Sequence, residues 1–291
     1  MITCSAVQTI PVFADRRANL VESLRLIDEC AARGARLVVL PECGLTGYCF
    51  DSRKEAEAQA EEVPGPSTEA LAAKARETDV YVVAGLLERE EKNLYNTAVL
   101  IGPQGVVLHV YRKTHLPRLG VDRFVDPGPG PLDIVETAIG RIGILICYDN
   151  FFPEPARALM LEGMDLLLLP TNWPAGREAN PDYVVRARAR ENHLYIIAAN
   201  RGGEERGARF FGRSQICGPE GEILAEAAAD VPDVIYADID PSASRERNLV
   251  LKPGEFELRL LEDRRPELYG AVSDPRPAGN RIHQGAERSK T

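Results

Sequence analysis

Apolar residues along this chain come in two arrangements. The first is short unbroken runs: Leu37-Val-Val-Leu40, Ile142 to Ile146, Leu166 to Leu169 and Leu194 to Ala199. A continuous run of this length fits a strand covered on both faces, so these predict the central strands of a sheet. Ile2 to Gln8, which alternates, and Val234 to Ile239 predict two more strands. The second arrangement is a spacing of three and four, as in Leu20, Leu24, Ile27 and Cys30. That spacing predicts a helix, with Asp15 placed to cap its start and Gly34 to end it. An acidic helix is expected over 51–62, closed by Val63-Pro-Gly-Pro66, and another from a Ser67/Thr68 cap to Thr78. Pro153-Glu154-Pro155 opens a helix, since proline in the first turn loses no bond. A further helix is expected over 177–193.

Two tracts share a hairpin design. Tyr95 to Ile101 and Val106 to Tyr111 flank Gly102-Pro-Gln-Gly105, and Tyr81 to Ala84 is a strand just before them. Phe210 to Cys217 and Glu222 to Ala225 flank Gly218-Pro-Glu-Gly221. Each tract follows strand and helix units, so the chain reads as two similar halves. The pattern suggests an α/β fold of two mixed sheets stacked face to face with helices outside, a four-layer αββα sandwich. Residues 1–269 are expected to form this domain. Residues 270–291, polar and bearing Pro and Gly, are expected to form a C-terminal arm or tail.

Composition narrows the function classes. Hydrophobic residues make up 44% and charged residues 27% of 291 positions, as in globular enzymes. A formal net charge of −9 argues against nucleic-acid binding, which needs a basic face. The start lacks the charged and apolar segments of a signal peptide, and no apolar run approaches the ~20 residues that span a bilayer. A cytoplasmic location with reduced thiols is the expectation, with no membrane partner. The six cysteines form no CxxC, and the four histidines no HExxH, so no metal site is expected.

Candidate chemistry sits where apolar strands end. Glu42 follows Leu37-Val-Val-Leu40 directly and leads into a neutral loop, where a carboxyl group should have a raised pKa and could act as a base. Lys113 leaves the first hairpin for a long Pro/Gly-rich segment, 114–131, of a kind that is usually functional inside a compact domain. Cys147 stands at a strand-to-helix elbow, as a nucleophile or as an inert core thiol. Together the three have a chemical logic: a thiolate attacks, a carboxylate carries the proton, and a cation holds an oxyanion. Trp173, the single tryptophan, either lines a pocket or covers core. Arg186 and Arg190 share a helix face and Arg188 points away, which in an acidic chain predicts salt bridging rather than nucleic-acid contact.

The chain resembles the nitrilase superfamily of carbon–nitrogen hydrolases. Leu40-Pro-Glu-Cys-Gly-Leu-Thr-Gly-Tyr48 is similar to the family's glutamate motif, Tyr111-Arg-Lys-Thr-His-Leu-Pro117 to its lysine motif, and Gly143-Ile-Leu-Ile-Cys-Tyr-Asp149 with Phe152-Pro-Glu154 to its cysteine motif. Pro170-Thr-Asn-Trp173, Arg188-Ala-Arg-Glu-Asn192, Ala199-Asn-Arg201 and Phe211-Gly-Arg-Ser214 add support. The resemblance, running from Ile2 to Tyr269, implies Cys147 as nucleophile, Glu42 as general base and Lys113 as stabiliser of the tetrahedral intermediate. It adds the backbone N–H of Tyr148 at the oxyanion, and Tyr48, Asn172 and Trp173 against substrate. Many members carry a further glutamate after the lysine; here Asp122 is the nearest acid, either to position substrate or to anchor its loop through Arg123 or a neighbour. The implied activity is hydrolysis of a small amide or N-carbamoyl compound without a cofactor. A nitrile substrate, a glutaminase domain and a catalytically silent member are the rivals. The resemblance also implies a homo-oligomer, a dimer or larger.

Overall fold

The computed structural model describes residues 1–275. Of the arm expected over 270–291, residues 276–291 lie outside the described residues. Met1–Glu246 forms one compact unit, and Arg247 begins a second.

The first unit contains fourteen strands and five α-helices, in chain order β1 (Ile2–Gln8), α1 (Arg16–Ala32), β2 (Ala35–Val39), α2 (Arg53–Glu57), α3 (Pro66–Thr78), β3 (Tyr81–Glu90), β4 (Asn93–Ile101) and β5 (Val107–Arg112). Then follow β6 (Ile134–Thr137), β7 (Gly140–Ile144), α4 (Pro153–Leu161), β8 (Leu166–Pro170), α5 (Val185–Asn192), β9 (Tyr195–Ala199), β10 (Gly202–Glu205) and β11 (Ala208–Phe211). The last three are β12 (Gln215–Cys217), β13 (Ile223–Glu226) and β14 (Asp233–Ile239).

Two six-stranded mixed sheets result, ordered β14-β1-β2-β3-β4-β5 and β6-β7-β8-β9-β12-β13. In each, three successive parallel strands carry an antiparallel strand on one side and an antiparallel hairpin on the other. The two sheets therefore repeat one strand order and orientation, although the first takes its outer strand, β14, from the second half of the chain. The pleat separates the faces of the first sheet. Leu37 and Val39 join a buried cluster with Ile142, Ile144, Leu166 and Ile197 of the second sheet. Val38 and Leu40 instead meet Ile27, Leu71 and Ala75 of α1 and α3. Helices α4 and α5 cover the second sheet with Leu159, Met160, Val185 and Ala189. The architecture is the αββα sandwich.

Local differences from the sequence expectation have physical reasons. Asp15 caps α1, its side chain accepting from the Ala18 N–H at 2.9 Å. α3 starts earlier than Ser67, because Pro66 takes the first helical position; Thr68 instead reaches back to accept from the Gly65 N–H at 2.8 Å. α2 stops at Glu57 rather than 62, since Glu61 pairs its backbone with Leu87 and Arg89 beside β3. The helix expected over 177–193 is α5 with a π-helical turn, Asn180–Val184, before it. Phe210 and Phe211 belong to the β10–β11 hairpin rather than to β12, with Gly212 in the left-handed region between the two. In α5, Arg188 pairs with Glu191 and Arg190 with Glu220, as the acidic composition suggested. In the second unit, β15 (Asn248–Lys252) and β16 (Phe256–Arg259) form an antiparallel hairpin.

Candidate active site

Three strand ends deliver three side chains. Beyond β2 the chain continues through Leu40, whose N–H still bonds Val83 at 2.8 Å, and then turns at Glu42-Cys43. Cys43 takes a φ of 46°, a left-handed conformation uncommon for a residue with a side chain. Gly85 of β3 lets this elbow approach: a Cβ there would sit 2.5 Å from the Pro41 carbonyl oxygen and 2.8 Å from the Glu42 Cα. Lys113 follows β5, its N–H bonding the Asn96 carbonyl of β4 at 2.8 Å. Cys147 lies three residues past β7 and opens a 3₁₀ turn, Cys147–Phe151, also at a φ of 46°. N–H groups in the first residues of such a turn have no acceptor within it, which leaves the Tyr148 amide for an outside oxygen.

The side chains converge in a buried charged cluster. Lys113 Nζ donates to Glu42 Oε1 at 2.6 Å and to Asp122 Oδ2 at 2.5 Å. Asn96 Nδ2 donates to both carboxylates, at 2.7 Å to Glu42 Oε1 and 2.9 Å to Asp122 Oδ1. The Tyr48 hydroxyl donates to Asp122 Oδ2 at 2.7 Å. The side chains of Glu42, Lys113 and Asp122 are wholly shielded from solvent. Glu42 Oε2 alone is left without a partner.

Burial and neighbouring charge set the proton affinities. Burial pushes the Glu42 carboxyl up; the Lys113 ammonium opposes this and the Asp122 charge adds to it. Burial would lower the Lys113 ammonium, but Asp122 and Glu42 outweigh it and hold the group well above its ordinary value. The Cys147 thiol is pushed up to about 12, by burial first and then by the Glu42 charge, while Lys113 favours the thiolate. A thiol so placed is protonated near neutrality and would need a base in order to act as a nucleophile.

Asp149 joins the cysteine elbow to the lysine loop. Its Oδ2 accepts from the Tyr111 hydroxyl at 2.8 Å and from the Ile146 N–H at 3.0 Å. Its Oδ1 accepts from the His115 N–H at 2.9 Å and the Thr114 hydroxyl at 3.0 Å. This carboxylate therefore fixes where Cys147 stands relative to Lys113.

Cys147 opens into a cavity of about 680 Å³ that Tyr48, Tyr148, Asn172 and Trp173 also line. Trp173 serves both roles offered by the sequence: it is 2% exposed and stacks near Phe211, and it walls the cavity. Asn172 is buried, with neither carboxamide atom hydrogen-bonded. Asp122 grips Lys113, while Arg123 bonds the Gly120 and Phe50 carbonyls. Gly85, Asn96 and Asp149 carry no role in the sequence reading. Asn96-Thr97 did offer a signal, two polar residues inside an otherwise apolar strand. Among the described residues, no group of three or more His, Cys, Asp or Glu side chains could hold a metal ion.

Comparison with known proteins agrees with this chemistry. The carbon–nitrogen hydrolase family profile matches residues 3–248. A nitrilase of Pyrococcus abyssi is 37% identical over 273 residues, spanning 92% of this chain and 99% of that protein. An omega-amidase of Danio rerio is 34% identical over 280 residues, covering 92% and 96%. Among solved structures, a cysteine-to-alanine mutant of the Nesterenkonia AN1 amidase, of the nitrilase superfamily, superposes with a TM-score of 0.77 at 26% identity, over 93% of this chain and 97% of that one. A glutamate-to-glutamine mutant of that amidase carries the acetamide moiety of fluoroacetamide added covalently at its active-site cysteine (TM-score 0.76, 26% identity, coverage 93% and 96%).

Proposed function

The chain belongs to the carbon–nitrogen hydrolase family, and we propose that it cleaves a small amide or N-carbamoyl compound to the acid and ammonia or an amine through a thioester on Cys147. The observation that carries this reading is the free Oε2 of Glu42, a buried carboxylate oxygen with no partner in a cluster whose charge bears on the thiol. Its sister oxygen is held by Lys113 and Asn96, so the carboxylate is aimed while one acceptor stays open.

The steps follow from the proton affinities. Cys147 Sγ attacks the amide carbon as its proton passes to Glu42 Oε2, because a thiol near pKa 12 cannot ionise by itself at neutral pH. The carbonyl oxygen takes up the negative charge and is held by the Lys113 ammonium and the Tyr148 N–H. Protonated Glu42 returns its proton to the nitrogen, the C–N bond breaks, and ammonia or an amine departs. Water, deprotonated by Glu42, then attacks the thioester; the acid leaves and the proton returns to sulfur. The nitrilase name of the Pyrococcus abyssi relative makes nitriles the second substrate class to assay, since the same groups suffice.

Cys147→Ala should abolish ammonia release across a panel of amides, N-carbamoyl compounds and nitriles while leaving the thermal unfolding midpoint within a few degrees. Intact-protein mass spectrometry of the wild-type enzyme, quenched during turnover, should show an acyl adduct on the peptide carrying Cys147. Persistent turnover by Cys147→Ala would sink the scheme.

A further inference from the structure

Tyr48 belongs both to the cavity wall and to the charged cluster, yet it lies in a turn rather than on a strand or helix. That turn follows the Glu42 elbow and is held from the other half of the chain. Glu205, on β10, turns one carboxylate oxygen to its backbone: Oε1 accepts from the Tyr48 N–H at 2.8 Å and from the Cys49 N–H at 2.6 Å. The approach is close, since a Cβ on Gly47 would lie 3.0 Å from Glu205 Oε2. Oε2 accepts from Arg201 Nη1 at 2.5 Å. Both residues are buried, Glu205 at 4% exposure and Arg201 at 0%. The Arg201 guanidinium sits over the Phe210 ring at 4.5 Å, and Phe210 meets the Tyr48 ring edge to face at 6.3 Å.

A buried ion pair is a poor device for stability alone, because the cost of desolvating two charges offsets most of their attraction. What this pair provides is direction. The guanidinium fixes the carboxylate, and the carboxylate fixes two backbone N–H groups. From there the bonds run on to the cluster. The Tyr48 carbonyl accepts from the Val121 N–H at 2.7 Å, and its hydroxyl donates to Asp122 Oδ2, the oxygen that Lys113 also holds. The same hairpin steadies the Trp173 loop: the Arg209 carbonyl accepts from the Ala175 N–H at 2.8 Å, and Phe211 stacks on Trp173. β10–β11 thus ties together wall segments from both halves of the chain.

We propose that Arg201 and Glu205 are positioning residues for the reaction at Cys147, anchoring the Tyr48 turn so that its hydroxyl stays on Asp122 and Lys113 stays shared between Asp122 and Glu42. The assignment rests on the amidase reading above and extends it to two residues outside the cavity lining. With the hydroxyl withdrawn, Asp122 would draw the ammonium to itself and press its charge on Glu42 unshielded. That charge already raises the Glu42 carboxyl, so the base would need a higher pH to ionise.

Glu205→Asp tests the anchor. It keeps a charge for Arg201, but one methylene shorter it cannot meet the guanidinium and both N–H groups at once. A structural brace would survive that change in a folded protein, whereas an anchor would not. The probe is iodoacetamide, which alkylates Cys147 as a carbon–sulfur bond forms, iodide leaves and the thiol proton passes to Glu42. Intact-protein mass spectrometry reads the rate, with Cys147→Ala as the blank. Glu205→Asp and Tyr48→Phe should each slow alkylation about 10-fold and move the acid limb of its pH profile upward. The double variant should be no more than about 2-fold slower than either, because both act through one hydroxyl. Should Glu205→Asp fail to fold, Arg201→Lys, which keeps the charge without the fork, takes its place in the cycle with the same expectation. Wild-type alkylation in the folded variant, an unmoved acid limb, or single effects that multiply in the double variant would overturn the assignment. Cys147-dependent ammonia release from the amide panel alongside any of those results would uphold the amidase reading and sink the anchor. A non-additive cycle in a protein that releases no ammonia would uphold the anchor and sink that reading.

Discussion

Glu42 and Asp122 share one ammonium, and on the proposed mechanism that sharing sets how strong a base Glu42 is. Burial raises its carboxyl and the Asp122 charge raises it further, against the pull of Lys113. The base must be ionised to accept the thiol proton, so activity rises as pH climbs through this group's pKa. The acid limb of kcat/KM should therefore lie above the ordinary glutamate value of 4.5. Asp122→Asn removes a raising charge and leaves Lys113 undivided, so the limb should move to lower pH and kcat should fall roughly 10-fold as the base weakens. A pH profile with the limb in its wild-type place would show that Asp122 does not tune the base. The acid and the lysine were legible as candidates because each follows an apolar run. Their union came from the shared chemical logic and the family resemblance rather than from local pattern, because the contact spans 71 residues. The part of Asn96, a residue inside a strand, carried no signal of that contact.

The strands and helices were largely visible in the pattern, and the exceptions lie where the chain is held by something distant. α2 is cut short because Glu61 is drawn to β3, and Phe210 is withdrawn from β12 by the β10–β11 hairpin. Neither tie has a local signature. Gly85 is the sharpest case, an ordinary residue of β3 by sequence and the floor of the Glu42 elbow in space. Gly85→Ala would place a methyl group 2.5–2.8 Å from the Pro41 oxygen, Cys43 nitrogen and Glu42 Cα, closer than real contacts allow. The elbow must shift, and displacing a reacting group by about 1 Å costs on the order of 100-fold in rate. The expected outcome is kcat/KM down about 100-fold for every amide tested, together with destabilisation of about 1–3 kcal/mol from overpacking. Wild-type rates in a folded Gly85→Ala protein would mean that Glu42 is not held by this elbow.

At the scale of the whole molecule the two sheets repeat one arrangement and, on the proposed mechanism, divide the chemistry between them. Leu40-Pro41 leads into Glu42 beyond β2, and Leu169-Pro170 leads into Thr171 beyond β8, the matching strand of the other sheet. The first sheet's strand ends lead to Glu42 and Lys113 and the second's to Cys147, while both line the cavity, Tyr48 from the first half and Trp173 from the second. The site thus exists only where the sheets are stacked in register, and carboxyl-end clefts explain why it lies past the strands rather than within the sandwich. Hydrophobic packing holds the sheets together but does not fix sub-ångström register; directional bonds do. Asp149 is such a device, taking the Tyr111 hydroxyl and His115 N–H from the first sheet's exit and the Ile146 N–H from the second's. Each of these groups donates, so an amide NH₂ in place of either oxygen would face a donor and leave a buried N–H or O–H unpaired, at about 1–3 kcal/mol. Asp149→Asn should therefore lower the unfolding free energy by that amount and reduce kcat about 100-fold, with a much smaller change in KM, since the cavity wall is retained. A fall in KM-determined binding with kcat intact would place Asp149 among the substrate contacts instead. Loss of stability with kcat and KM both unchanged would make it a structural brace with no part in aligning sulfur and ammonium.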